Sequence, residues 1–208
     1  MNSGSKAISL VGMSNIGKTF WSERLGDRGY LRICCDDLIA RDLGPLLARE
    51  RLSGSIEDVA KWMGLPHEER SARNQEQYLR LEDLAVWEAM ESVGHGPAVI
   101  DTTGSVVHLE SATREALCRT TTVVYLQTPP HLLNEMLQRF IAEPKPVVWG
   151  NLYAPVAGEA PSETLARCYP LLLAARNQLY ESMAHIILGY EVHRAADFTV
   201  EEFLGLVS

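Results

Sequence analysis

Gly12-Met13-Ser14-Asn15-Ile16-Gly17-Lys18-Thr19 is the stretch on which the reading of this chain turns. It fits the pattern G-x-x-x-x-G-K-[ST] at every specified position. Each part of the pattern has a chemical reason. Glycines let the backbone curl until successive N–H groups face one anion. A helix beginning near Lys18 brings the positive end of its dipole to the same point. The Lys18 ammonium is placed to meet the β- and γ-phosphates of a nucleotide, and the Thr19 hydroxyl to ligate Mg²⁺. Lysine is scarce here, with four in 208 residues, so Gly-Lys-Thr at this spacing is a specific signal. The context agrees, because the apolar run from Lys6 to Val11 reads as a strand and Lys18 to about Arg28 as a helix. ATP with Mg²⁺ is therefore the expected ligand, held by Gly12, Met13, Ser14, Asn15, Ile16, Gly17, Lys18 and Thr19.

Outward from this loop, strands and helices alternate. Leu31 to Cys35, Pro97 to Asp101, Thr121 to Gln127 and His185 to Leu188 read as further strands. Asp36 to about Met90 reads as helical, broken near Gly44-Pro45, Ser53-Gly54 and Gly64-Leu65-Pro66. Helices are also expected over Leu109 to Cys118, from Pro129-Pro130 to about Ala142, over Ser162 to Met183 and over Val200 to Val207. This alternation predicts an α/β fold, a five-stranded parallel sheet covered by helices on both faces. The expected organisation is one domain, with a helical substrate-binding region over 36–95 and a proline-rich lid over 143–161. A loop of that length in a compact domain is usually functional.

Composition narrows the partners. A net charge of −8 and a pI of about 5.3 disfavour a nucleic-acid coat or an anionic-membrane binder. Hydrophobic residues at 46% and charged ones at 22% fit a folded globular chain. No run of 18 apolar residues exists, so no membrane span is expected. The first residues show no signal-peptide layout, and Cys34, Cys35, Cys118 and Cys168 lack metal-ligand spacing. They read as small buried hydrophobes of a reducing cytoplasm. The six histidines are scattered without a metal pattern.

Strand ends supply the candidate chemistry, since open α/β sheets bind ligands at the carboxyl ends of their strands. Asp36-Asp37 follows the second strand and Asp101 ends the third. A carboxylate there can hold Mg²⁺ or accept a proton from an attacking hydroxyl. The competing structural role for Asp36 or Asp37 is a helix N-cap, which one of the two is expected to fill. Arg176 lies on an apolar helical stripe of Leu165, Tyr169, Leu172, Leu179 and Met183. A cation on such a face needs a partner, either an acidic side chain or a substrate anion. Arg80 shares a helical face with Leu84 and Trp87, which would turn it inward if that face is buried; the alternative is a surface arginine.

Taken together, these segments resemble the shikimate kinase family of small P-loop kinases along nearly the whole chain. Cys34-Cys35-Asp36-Asp37-Leu38-Ile39-Ala40-Arg41-Asp42-Leu43-Gly44 is similar to the family's D-x-D-x-x-I-E-x-x-x-G. Val99 to Val107 is similar to its strand followed by G-G-G, and Thr122 to Leu126 to its fourth strand. Leu173 to His185 resembles its R-x-x-L-Y-x-x-x-A-D ending. The resemblance implies an ATP-dependent kinase acting on a hydroxyl of a small, anionic acceptor. It implies Asp36 as the base, Arg176 as the holder of the acceptor's carboxylate, Gly104 beside the acceptor, and Arg139 stacked on adenine. Lys145-Pro146 stands for the lid's Arg-Pro, and Lys145 is the lid's only cation. Besides this lysine, the chain departs from the family in four places. Cys34 replaces the first Asp of D-x-D, and Asp101 stands where Ser is usual, offering a replacement carboxylate for the metal. The glycine triplet is Thr103-Gly104-Ser105. F-R-x-x-E reads Tyr78-Leu79-Arg80-Leu81-Glu82, so Leu79 takes the arginine's position and Arg80 follows it. Two alternatives remain open at this stage: a nucleotide-binding regulator without acceptor chemistry, and a kinase for a nucleotide or sugar.

Overall fold

The computed structural model describes residues 7–94 and 96–207. Lys6, expected to open the first strand, and His95, at the end of the helical region, lie outside them. Five strands form one all-parallel sheet in the order β2-β3-β1-β4-β5. They are β1 (Ala7–Val11), β2 (Leu31–Cys34), β3 (Ala98–Asp101), β4 (Thr121–Leu126) and β5 (Ile186–Leu188). Every residue of β1 is buried, as expected of a central strand covered on both faces.

Alternation along the strands sorts the core into two layers. Ile8, Leu10, Val99, Val124 and Leu126 face α1 (Lys18–Gly26) and the last helix, where Trp21, Leu25 and Phe203 pack on them. Val11, Ile100, Val123 and Tyr125 face the other way, against Leu172, Leu173, Tyr180 and Val86. A third apolar cluster holds the helical region together: Ile39, Leu43 and Leu47 of α2 (Cys35–Arg49), Val59 and Trp62 of α3 (Ile56–Met63), and Tyr78 and Ala85 of α4 (Ser71–Ser92). The remaining helices are α5 (Ser111–Thr120), α6 (Leu133–Ala142), α7 (Pro161–Met183), α8 (Tyr190–His193) and α9 (Val200–Val207).

Two expectations need correction. Gly44-Pro45 does not break α2, which runs through it to Arg49. Pro45 lies on the exposed side of the helix, where water can take the carbonyl its missing N–H leaves unpaired, while Leu43 and Leu47 stay buried beneath it. Neither Asp36 nor Asp37 is the N-cap, a position held by Cys34; both lie in the first turn, where their charge meets the positive end of the helix dipole. Residues 143–160 carry no helix or strand.

Candidate active site

The glycine loop leaves β1 at its carboxyl end and curls back into α1. Its backbone carries three left-handed residues, Gly12 at φ +147°, Asn15 at +64° and Gly17 at +119°. Only glycine suits the first position, because a Cβ at Gly12 would sit 2.8 Å from the Leu126 carbonyl oxygen. The curl wraps around the Lys18 ammonium, whose Nζ donates to the carbonyl oxygens of Gly12 and Met13, both at 3.0 Å. Burial lowers the Lys18 pKa, opposed by the charges of Asp101 and Asp36. Thr19 is exposed at the start of α1.

Two neighbouring strands deliver the carboxylates. Asp101 is buried at the end of β3, paired in register with Cys34 on β2. Its Oδ2 accepts from the Ser22 hydroxyl at 3.1 Å and stands 3.9 Å from the Arg32 guanidinium, which itself donates to Ser22. Asp36, in the first turn of α2, is partly buried, and Asp37 beside it is exposed. Burial raises the Asp36 pKa to about 6; Lys18 pulls it down, Asp101 and Asp37 push it up, and the Tyr78 hydroxyl hydrogen-bonds to it. Asp36 is thus a carboxylate that changes protonation near neutrality beside a buried ammonium, the property a general base requires.

Opposite the loop stands the turn Thr103-Gly104-Ser105. A Cβ on Gly104 would come within 3.2 Å of the Ser14 hydroxyl and 3.6 Å of Arg176 Nη1, so this glycine lets loop and guanidinium approach. The flanking hydroxyls turn the other way, both donating to Glu82, with Ser105 Oγ at 2.5 Å from Oε2. Glu82 is fully buried on α4, and burial raises its pKa to about 7 against the pull of those two donors. Arg176, on α7, is also almost fully buried. Its Nη2 donates to the Val148 carbonyl at 2.7 Å and its Nε to His108 Nε2 at 3.2 Å. Among the described residues no carboxylate lies within ion-pair distance of it.

The other expected residues fall differently. Arg139 lines the cleft beside Asn15 while pairing with Glu135 one turn back on α6. Lys145 lines the same cavity as Arg176 and reaches Glu57 of α3 at 2.7 Å, so it ties residues 143–160 to the helical region. Trp149 is buried against Phe140 and Tyr169, and its backbone N–H donates to the Gln75 side-chain oxygen. Arg80 is not brought to the site. It pairs with Glu76 on the solvent side of α4, and Leu84 and Trp87, which share its face, are exposed too. Sequence reading gave no role to Glu82, Tyr78, His108 or Arg32, nor to Tyr190 and Arg194, which line the cleft opposite Arg139. Glu82 and Tyr78 lie inside a quoted motif; the others had no local pattern to mark them.

Among the described residues no helix is long and apolar enough to cross a membrane, and no group of three or more His, Cys, Asp or Glu is placed to hold a metal. No protein-family model matches the chain, and no curated protein resembles it in sequence. Solved structures do. The shikimate kinase from Acinetobacter baumannii in complex with shikimate matches with a TM-score of 0.58 at 22% identity, over 97% of this chain and 92% of that one. The shikimate kinase from Bacteroides thetaiotaomicron matches at 0.58 and 16% identity, over 96% and 94%. That from Aquifex aeolicus matches at 0.59 and 16%, over 97% and 95%. The chain has the fold of shikimate kinases, the α/β fold of small P-loop kinases.

Proposed function

We propose that this protein is an ATP-dependent kinase that phosphorylates a hydroxyl of a small acceptor carrying an anionic group. The observation that carries the reading is Arg176: a buried guanidinium, answered only by neutral groups, facing the glycine loop across Gly104. A buried cation without a counter-charge is costly, and a substrate anion supplies what the fold omits. The neighbours' names support the class of reaction, and one of them is bound to shikimate.

The residues fit the ligands this reading requires. Backbone N–H groups of 12–18 and the Lys18 ammonium suit a nucleotide's phosphates, and Arg139, Tyr190 and Arg194 suit its base and sugar. The Thr19 hydroxyl and the Asp101 carboxylate are the groups that would hold Mg²⁺. Bound ATP and Mg²⁺ supply the γ-phosphoryl group and offset its negative charge. In that setting Asp36 would accept the proton of the acceptor's hydroxyl on a carboxylate oxygen, while the hydroxyl oxygen bonds to the γ-phosphorus and the bond from that phosphorus to the departing ADP breaks. Lys18 stabilises charge at the transferring group, Arg176 fixes the acceptor by its anion, and residues 143–160 keep water out. Most of the acceleration comes from placement and electrostatics. Cys34, Cys35 and Cys168 are free thiols, which fits a cytoplasmic setting.

The test is ATP consumption with a panel of hydroxy acids, sugars, sugar phosphates and nucleosides. Turnover is expected with at least one anionic alcohol. Silence with every acceptor, alongside tight ATP binding, would instead identify a nucleotide-binding regulator.

A further inference from the structure

His108, which lies outside every motif the sequence offers, meets Arg176. His108 ends the short turn Val106–His108 that follows Ser105, 68 residues from Arg176, and its Nε2 accepts the guanidinium's Nε–H at 3.2 Å. We propose that His108 is a positioning residue that makes the acceptor site selective for an oxyanion, a carboxylate or a phosphate monoester, by holding Arg176 in place without neutralising it. This inference rests on the reading of Arg176 as the acceptor's anion-binding group.

The geometry requires a neutral imidazole. Guanidinium Nε–H can only donate, so His108 Nε2 must carry a lone pair. Burial and the nearby charges of Arg176 and Arg114 keep it so, lowering the His108 pKa to about 4. Nη2 of Arg176 is engaged by another neutral acceptor, the Val148 carbonyl. Two of the three guanidinium nitrogens are thereby fixed, and the full positive charge survives. Nη1 lies on the side of Gly104 and Ser14, next to the loop, and the Tyr180 hydroxyl is a further neutral partner of the guanidinium. The buried carboxylate that could quench this charge, Glu82, is engaged by Thr103 and Ser105 on the far side of the same turn. Had position 108 been acidic, Arg176 would form an internal ion pair and lose its demand for an external anion. An apolar residue would leave Nε–H buried without an acceptor and the guanidinium free to turn.

The test uses calorimetry on the full chain saturated with ADP and Mg²⁺, so that the glycine loop is filled. Two pairs of probes differ only in the anion: shikimate against its carboxamide, and glycerol 3-phosphate against glycerol. Wild type is expected to bind the anion of at least one pair 10-fold or more tightly than its neutral partner; which pair does so tells carboxylate from phosphate. His108→Gln, which retains an acceptor, keeps this ratio. His108→Glu brings it to near one while ADP affinity stays within twofold. A His108→Glu protein as selective as wild type, or a wild type with no selectivity in either pair, overturns the inference. Should His108→Glu not fold, ¹⁵N NMR of the wild-type imidazole decides. Nε2 is expected to be unprotonated from pH 8 to 5, and an ordinary titration near 6.5 overturns the proposal. Phosphoryl transfer is measured separately, so selective binding without turnover removes the kinase reading and leaves this one standing.

Discussion

The two halves of the candidate site are built by different means. The proposed phosphate end consists of eight consecutive residues whose backbone N–H groups would do the binding, in a curl that glycines at +147° and +119° permit. The proposed acceptor end is assembled mainly from side chains, Asp36 on α2, Tyr78 and Glu82 on α4, His108 after β3 and Arg176 within α7, with the backbone carbonyl of Val148 before α7. Backbone chemistry needs a fixed local spacing and leaves a motif. Side-chain chemistry needs only that positions from several elements converge, and each can be exchanged if another compensates. The phosphate end should therefore tolerate almost no change, whereas the acceptor end should respond in graded fashion.

The largest effect is expected at the phosphate end. Lys18→Ala should reduce phosphoryl transfer by about 10³-fold or more, read in a coupled ADP assay, with the fold retained by circular dichroism. Undiminished turnover would remove Lys18 from the mechanism and erase the contrast between the two ends. Next comes the candidate base. Asp36→Asn should cost about 10²- to 10⁴-fold in kcat, and Asp37→Asn, at an exposed position, less than about threefold. In wild type the rate should climb as pH rises through about 6, because the base acts only when ionised, and this limb should vanish in Asp36→Asn. The reverse ranking of the two aspartates would move the base to the other carboxylate.

Glu82 sharpens the comparison through stability. Its folded pKa of about 7 lies above the ordinary 4.5, so between those values the folded state holds the proton more firmly than the unfolded one. Stability contributed by the protonated form is complete below about 4.5 and is lost as pH rises towards 7, up to about 3 kcal/mol. Urea melts across that window should show wild type weakening relative to Glu82→Gln, which has no charge to bury. Parallel curves for the two proteins would place the titration elsewhere. The smallest effect belongs to Arg80→Ala, expected within about 0.5 kcal/mol in stability and unchanged in acceptor KM, because its partner is a surface glutamate. A large rise in KM would return Arg80 to the site.

These contrasts also explain what was legible from residues alone. The sheet could be read because each strand is a short apolar run bounded by turns, and the loop because its spacing is obligatory. Lys18, Asp36 and Arg176 emerged from a motif, a strand end and a stripe, and the fold brings all three to one place. Arg80 misled because Leu84 and Trp87 imitate an inward stripe, while α4 buries the face carrying Tyr78, Glu82 and Ala85 instead. Pro45 misled because helix breaking by proline depends on which side of the helix it occupies. The four-residue α8 is too short to show any period, so Tyr190 and Arg194 went unnoticed. His108 could not have been singled out, since nothing in Val106-Val107-His108 announces that α7 passes overhead.

Cys34 and Asp101 are adjacent rungs on neighbouring strands, in register at the edge where the sheet meets the loop. If Asp101 holds the metal as proposed, a carboxylate on one strand can stand in for one on the strand beside it, shifted sideways by about 5 Å, the ordinary interstrand spacing. A linear signature would score two mismatches where three dimensions register a translation. Chains of this architecture are better compared by the positions their carboxylates reach than by the letters that supply them.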